Sequence, residues 1–125
     1  MRRIKVLMID DEEEFCRGIK MGLEETGKFD VITAIRGTEG LQLAKTRRPD
    51  VILLDIVMPD ITGTEVAELL SEDRDTRKIP ILFLTALLKK EEEKGFGRSL
   101  SKYHIISKPV NLEDLIQKIE AIATG

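Results

Sequence analysis

The chain has 125 residues, of which 42% are hydrophobic and 34% charged, with a net charge of −3. These values are typical of one soluble globular domain and argue against direct nucleic-acid binding, which needs a basic surface. No apolar stretch is long enough for a membrane span or a signal-peptide core. The single cysteine, Cys16, excludes an internal disulfide and favours a reducing, cytoplasmic location. We expect one domain over 1–125, without an output domain.

Five apolar runs predict β-strands. The most informative is Val51-Ile-Leu-Leu, which leads straight into Asp55 and is stopped by Met58-Pro59. An uninterrupted apolar run of this length is typical of a strand that is buried on both faces of a parallel sheet. Asp55 should therefore lie at the carboxyl end of a central strand. The five predicted strands are Ile4–Ile9, Phe29–Ala34, Val51–Asp55, 79–84 with Thr85 at its end, and 103–107.

Helical spacing of apolar residues separates these strands. The first helix presents Phe15, Ile19 and Leu23 inward and stops at Gly27. The second has Thr38 as its N-cap and buries Leu41 and Ala44, and the third, at 63–71, buries Val66, Leu69 and Leu70. The last helix is capped by Asn111 and has one apolar face formed by Leu112, Leu115, Ile116, Ile119 and Ile122. A fourth helix at 87–101 is less clear, because the run from Lys89 to Lys94 favours a solvated helix but Gly95-Phe-Gly97 weakens it.

Strict βα alternation predicts parallel strands joined by right-handed crossovers, with helices on both faces of the sheet. The fold class is α/β, a single flavodoxin-like (βα)5 domain whose five-stranded sheet has the order 2-1-3-4-5. That order reverses direction between the first and third strands, which opens a crevice at their carboxyl ends. Asp10, Asp11 and Asp55 would meet there.

Three carboxylates in one crevice call for a cation or a retained proton. Two like charges 4 Å apart repel by about 4 kcal/mol at an effective dielectric of 20. Hard oxygen ligands in small number suit Mg²⁺. Thr85 and Lys108 end the fourth and fifth strands and add a hydroxyl and an ammonium to the same edge. This set of groups is typical of a phosphoryl-transfer site.

The same residues carry a resemblance that extends over essentially the whole chain. The matching segments are Ile9-Asp10-Asp11-Glu12, Pro49-Asp50-Val-Ile-Leu-Leu-Asp55-Ile-Val-Met58-Pro59, Gly63, Ile79-Pro80-Ile-Leu-Phe-Leu-Thr85-Ala86 and Lys108-Pro109. In order and placement they resemble the response-regulator receiver domains of bacterial two-component signalling. Each segment alone is a weak signal, but together at strand ends they are specific.

The resemblance implies that Asp55 is a phosphoacceptor supplied by a histidine kinase or a histidine phosphotransfer protein. It implies that Asp10 and Asp11 hold Mg²⁺, aided by Asp55 and the backbone carbonyl of Val57. Thr85 and Lys108 would contact the phosphoryl oxygens. The family members are acceptors that assist only their own phosphorylation and dephosphorylation, so we expect no separate enzymatic activity.

Three further family features concern the switch. Receiver domains carry a cis bond before the proline that follows the lysine, here Pro109. Their aromatic switch residue lies three positions before the lysine, where this chain has Ile105. Tyr103 lies two residues earlier and on the same face of the strand, so it is a candidate for a displaced aromatic. The coupling between Thr85 and an aromatic residue is therefore altered here.

Two positions that tune phosphoryl lifetime in the family are apolar in this chain, namely Val57 and Leu87. Neither side chain can orient an attacking water by hydrogen bonding, so we expect a long-lived phosphoform. The family's output face, formed by the fourth helix, fifth strand and fifth helix, corresponds to about 88–123. We expect a downstream protein or a second copy of the chain to bind there.

Other functions fit the sequence less well. A hydrolase of the haloacid-dehalogenase kind needs Asp-x-Asp after its first strand, and Asp10-Asp11-Glu12 lacks that spacing. A flavodoxin-like cofactor carrier needs a phosphate-binding loop where this chain has five acids. A pseudo-receiver, which binds proteins without being phosphorylated, remains the alternative. Cys16 and His104 are expected to be ordinary structural or surface residues.

Overall fold

The computed structural model describes residues 2–86 and 104–124. Its strands are β1 (Ile4–Ile9), β2 (Phe29–Ala34), β3 (Val51–Asp55), β4 (Ile81–Thr85) and β5 (His104–Ser107), and its helices are α1 (Glu13–Glu25), α2 (Gly37–Arg47), α3 (Gly63–Glu72) and α4 (Leu112–Thr124), the C-terminal helix. The helix considered at 87–101, its Gly95-Phe-Gly97 segment, Leu87 and Tyr103 lie outside the described residues. No helix in the described part is long and apolar enough to cross a bilayer.

The five strands form one parallel sheet in the order β2-β1-β3-β4-β5. This confirms the flavodoxin-like fold expected from the alternation of elements. The order in which strands are added to the sheet reverses between β1 and β3, because β2 lies on one side of β1 and the later strands lie on the other. Here Ile9 is the register partner of Leu54. Asp10 and Asp55 are the next residues on these two strands, so both come to the same carboxyl edge at the reversal.

The sheet separates two apolar layers, and β3 contributes to both. Val51 and Leu53 point towards the layer beneath α1 and the C-terminal helix. Ile52 and Leu54 point towards the layer beneath α2 and α3. All four side chains are fully buried. Burial on both faces is the reason that β3 reads as a continuous apolar run rather than as an alternating one.

Two glycines bring elements into close contact. A Cβ on Gly22 would lie 2.7 Å from a terminal methyl of Leu112, so α1 approaches the C-terminal helix closely here and a larger residue would require the Leu112 side chain to move. At Gly63 a Cβ would lie 2.1 Å from the carbonyl oxygen of Asp55 and 2.8 Å from the Cα of Ile56. The Gly63 amide also donates to the Ile56 carbonyl at 2.7 Å, which fixes the start of α3 against the end of β3.

The predicted cap of α2 was wrong. The helix begins at Gly37, with Arg36 at the N-cap position and no capping bond from its side chain. The carboxylate of Asp60, in the loop after β3, takes this role instead: it accepts from the amides of Gly37 at 3.1 Å and Thr38 at 3.0 Å, and from the Thr38 hydroxyl at 3.0 Å. These bonds, led by that from the Thr38 amide, hold the pKa of Asp60 well below its usual range.

Two smaller predictions were also wrong. Leu69 was expected inside, but it is 47% exposed because the inward stripe of α3 runs through Val66, Ala67 and Leu70. The fourth strand begins at Ile81 rather than at residue 79, since the residue between them, Pro80, has no amide hydrogen to give to a sheet ladder. By contrast, the side chain of Asn111 accepts from the Asp114 amide at 3.1 Å and caps the C-terminal helix as expected.

We predict opposite effects for the same substitution at two glycines. Gly63→Ala should destabilise the domain by several kcal/mol, because the new Cβ meets backbone atoms that cannot rotate away. Gly18→Ala, the control in the middle of α1, meets no atom within 4 Å and should stabilise it by about 0.5–1 kcal/mol. Urea denaturation measures both. Equal stability of the two variants would contradict the packing described for Gly63.

Candidate functional site

Three acidic side chains converge at the carboxyl edge of the sheet. Asp10 follows β1, Asp55 ends β3 and Asp11 opens the connection to α1. Each offers a carboxylate oxygen, and these oxygens lie within 4.8 Å of one another. Asp10 and Asp55 are buried, whereas Asp11 is exposed. The cluster is therefore open to solvent on one side only.

Burial and mutual repulsion perturb these carboxyl groups. Removal from water, followed by the negative charge of Asp10, raises the pKa of Asp55 to about 6. Burial also raises the pKa of Asp10, although a hydrogen bond from Lys108 opposes the shift. Both shifts come first from the loss of water around the carboxyl groups, so their charged forms are costly to keep without a cation or a retained proton nearby.

Lys108 brings the compensating positive charge. Its ammonium donates to Asp10 Oδ2 at 2.8 Å and to Glu12 Oε1 at 2.7 Å, and it lies 3.9 Å from Asp55 Oδ2. The side chain is only 10% exposed. Burial disfavours the charge, but the hydrogen bonds to Asp10 and Glu12 outweigh it, so the pKa of Lys108 is raised. The ammonium also lies 4.4 Å from the centre of the Phe15 ring, a favourable cation–π distance.

The backbone holds Lys108 next to the end of β4. Its amide donates to the carbonyl of Thr85 at 2.9 Å, and the bond to Pro109 is cis. Thr85 is buried and pairs in register with Ser107. It directly follows Leu84, the register partner of Asp55. Thr85 and Lys108 thus end the two strands that lie beyond β3 at this edge.

The groups around Asp10 fix its position from the other side. Its Oδ1 accepts from the Glu12 amide at 2.9 Å, and its backbone carbonyl accepts from the thiol of Cys16 at 3.3 Å. Burial raises the pKa of Cys16 to about 12, so the thiol keeps the proton that it donates. Cys16 therefore supports the site through the backbone and is not a reactive thiol.

The donor set fits a magnesium ion. Three carboxylates supply hard oxygen ligands in small number, and one exposed side leaves room for waters that Mg²⁺ retains. Asp10, Asp11 and Asp55 are the candidate ligands. Val57 lies two residues after the end of β3, and it is 52% exposed.

The switch positions are only partly described. Ile105 is half-buried and packs against the apolar layer beneath α2 and α3, beside its partner Phe83. An aliphatic side chain thus occupies the place where an aromatic one was sought. Tyr103 and Leu87 lie outside the described residues, so a displaced aromatic and the second lifetime position stay predictions. His104 is exposed on the edge strand.

Three residues at or near the site were given no role there by the sequence analysis. Glu12 and Phe15 contact the Lys108 ammonium, and Asp60 joins the loop after β3 to α2. The acidic run from Asp10 onward was the available signal for Glu12. Nothing in the sequence marks which acid of that run faces a lysine 96 residues away.

Comparison with known proteins agrees with this geometry. A family model described as response regulator receiver domain matches residues 6–120. The chain is 32% identical to protein PilH of Pseudomonas aeruginosa over 121 residues, which cover 97% of this chain and 98% of PilH. It is 38% identical to the alkaline phosphatase synthesis transcriptional regulatory protein PhoP of Bacillus subtilis, over 94% of this chain and 48% of PhoP. The chain thus spans about half the length of PhoP.

A solved structure has the same fold. The receiver domain of the Francisella response regulator 1452 superposes with a TM-score of 0.84 at 30% identity, covering 98% of each chain. The match includes the parallel five-stranded sheet at whose carboxyl edge the acids and Lys108 meet. With the family match over residues 6–120, these findings show that the chain belongs to the response regulator receiver domains of two-component signalling.

Proposed function

We propose that Asp55 accepts a phosphoryl group from the phosphohistidine of a histidine kinase or a histidine phosphotransfer protein. The observation that supports this most directly is the position of Asp55 at the carboxyl edge of the sheet, in a cluster with two further acids and with the Lys108 ammonium 3.9 Å away. The chain acts in this reaction as an acceptor and carries out chemistry only on itself.

In the transfer, an oxygen of Asp55 attacks the phosphorus while the bond from phosphorus to the imidazole nitrogen breaks. The bonding electron pair stays on the imidazole, and the aspartyl phosphate forms with one new P–O bond. Asp10, Asp11 and Asp55 would hold a Mg²⁺ ion, which would supply positive charge to offset the negative charge of the phosphoryl oxygens. Lys108 donates a hydrogen bond to one phosphoryl oxygen, and the Thr85 hydroxyl donates a hydrogen bond to another.

The phosphoryl group adds between about 1.5 and 2 negative charges at a site where Lys108 already contacts the acidic side chains. Its arrival attracts Lys108, which directly follows β5, and Thr85, which ends β4. We infer that the surface formed by β5 and the C-terminal helix changes as a result. A downstream protein or a second copy of the chain would bind that surface.

Asp55→Asn should abolish phosphate incorporation, since an amide oxygen is too weak a nucleophile. Intact-mass analysis after incubation with acetyl phosphate and Mg²⁺ measures this, and wild type should gain one phosphoryl group. Asp30→Asn, which removes an exposed carboxylate from β2, is the matched control and should behave as wild type. If wild type gains no phosphate while a control receiver does, a protein-binding module that is never phosphorylated becomes the better reading.

Asp11→Asn should weaken Mg²⁺ binding by about tenfold or more, as the loss of groups that support a metal usually does. Because Asp11 is exposed, the variant should still fold. Mg²⁺ should raise the melting temperature of wild type by mass action, and the variant should need more Mg²⁺ for the same rise. Glu13→Gln removes an equal charge two residues away and serves as control. The same Mg²⁺ dependence in all three proteins would argue against this metal site.

Val57→Asn should shorten the lifetime of the aspartyl phosphate several-fold, because an exposed amide at this position can orient an attacking water. The decay of the phosphorylated form, followed by intact mass after removal of the donor, gives the lifetime. Val57→Leu keeps the position apolar and should leave the lifetime long. Rapid decay in wild type that Val57→Asn does not change would rule out this role for Val57.

A further inference from the structure

We propose that Glu12 is a positioning residue that holds the Lys108 ammonium on the α1 side of the crevice and so limits how fast Asp55 accepts phosphate. This inference rests on the proposed function of Asp55 and deepens it. It assigns a role to an acid that follows the two candidate metal ligands in sequence but is absent from the three-carboxylate cluster.

The position of the ammonium carries the argument. Its hydrogen bonds go to Asp10 at 2.8 Å and Glu12 at 2.7 Å, whereas Asp55 at 3.9 Å lies beyond hydrogen-bonding distance. The Phe15 ring, 4.4 Å away, adds a further attraction from the α1 side. The hydrogen bonds of Lys108 thus lie on the α1 side, and its contact with Asp55 is only a longer ion pair.

Glu12 is well placed to hold it there. Its amide donates to Asp10 Oδ1 at 2.9 Å, and its carbonyl accepts from the Cys16 amide at 3.0 Å, so its backbone is fixed at both ends. It occupies the N-cap position of α1, yet its side chain makes no capping bond. The carboxylate is therefore available to Lys108 instead of serving the helix.

Metal binding would strengthen the dependence on Glu12. A cation on Asp10 draws the charge of that carboxylate, which weakens its bond to Lys108. Glu12 then remains the principal anion holding the ammonium. The ammonium has three N–H donors, of which Asp10 and Glu12 take two, so the phosphoryl oxygen does not lack a donor. It must instead draw the ammonium towards Asp55 against the attraction of Glu12, so loss of the Glu12 charge should free Lys108 for the transfer.

The test compares initial rates of phosphorylation by acetyl phosphate at saturating Mg²⁺. Glu12→Gln should accept phosphate about two- to fivefold faster than wild type, a modest gain because the Glu12 side chain is 62% exposed and solvent screens the pair. Glu13→Gln removes the same charge from the adjacent residue, whose backbone lies in the first turn of α1, and should leave the rate unchanged. In a Lys108→Ala background, Glu12→Gln should have no further effect, because a group that acts through Lys108 has nothing left to hold.

Three outcomes would overturn the proposal: equal rates for Glu12→Gln and Glu13→Gln, a slower rate for Glu12→Gln, or an effect of Glu12→Gln that persists without Lys108. Each of them leaves the phosphoacceptor role of Asp55 intact, provided that wild type gains phosphate. Failure of wild type to gain any phosphate overturns the proposed function, and this inference with it. The melting temperatures of the variants, measured alongside, identify any rate change that comes from unfolding.

Discussion

Repulsion among carboxylates at the carboxyl edge of the sheet is the constraint on which the site depends. Two buried acids and an exposed one share a region less than 5 Å across, where each close pair costs about 4 kcal/mol at an effective dielectric of 20. Among the described residues, Lys108 offsets part of this repulsion with its ammonium, from a position 98 residues after Asp10 in the sequence. Its backbone bond to Thr85 and its contacts with α1 bring the last strand, the fourth strand and the first helix to a single point. The edge is thus held in place by charge as much as by apolar packing.

Much of this arrangement could be predicted because it follows from the backbone. The apolar runs locate four of the strands to within two residues, and the alternation of strands and helices with the handedness of crossovers leaves few sheet orders. Once β1 and β3 are neighbours, Asp10 and Asp55 must share an edge, whatever their side chains do. The wholly apolar β3 is informative for the same reason, since only a strand covered on both faces reads in that way.

The details of the caps and of the site depend on side-chain contacts between segments that are distant in the sequence, and local sequence patterns do not reveal such contacts. Thr38 has the chemistry of an N-cap, but the carboxylate of Asp60 accepts from the amides at the start of α2 from another loop, and the N-cap position is Arg36, two residues earlier. Leu69 and Leu70 are adjacent and equally apolar, so their spacing alone cannot tell which of them faces the sheet. The contact of Glu12 with Lys108 joins residues 96 apart, and any of five acids in that run would satisfy the sequence pattern equally well.

The bonds of Asp60 have a consequence for the loop after β3. Asp60 lies in the loop that leaves β3, five residues after Asp55, and its carboxylate stays ionised because two amides and a hydroxyl surround it. An anion whose lone pairs are already engaged is a poor ligand for a cation. Asp60 is also absent from the three-carboxylate cluster. It instead ties the loop after β3 to the first turn of α2, so the segment that follows Asp55 is anchored to a helix on the other side of the strand reversal.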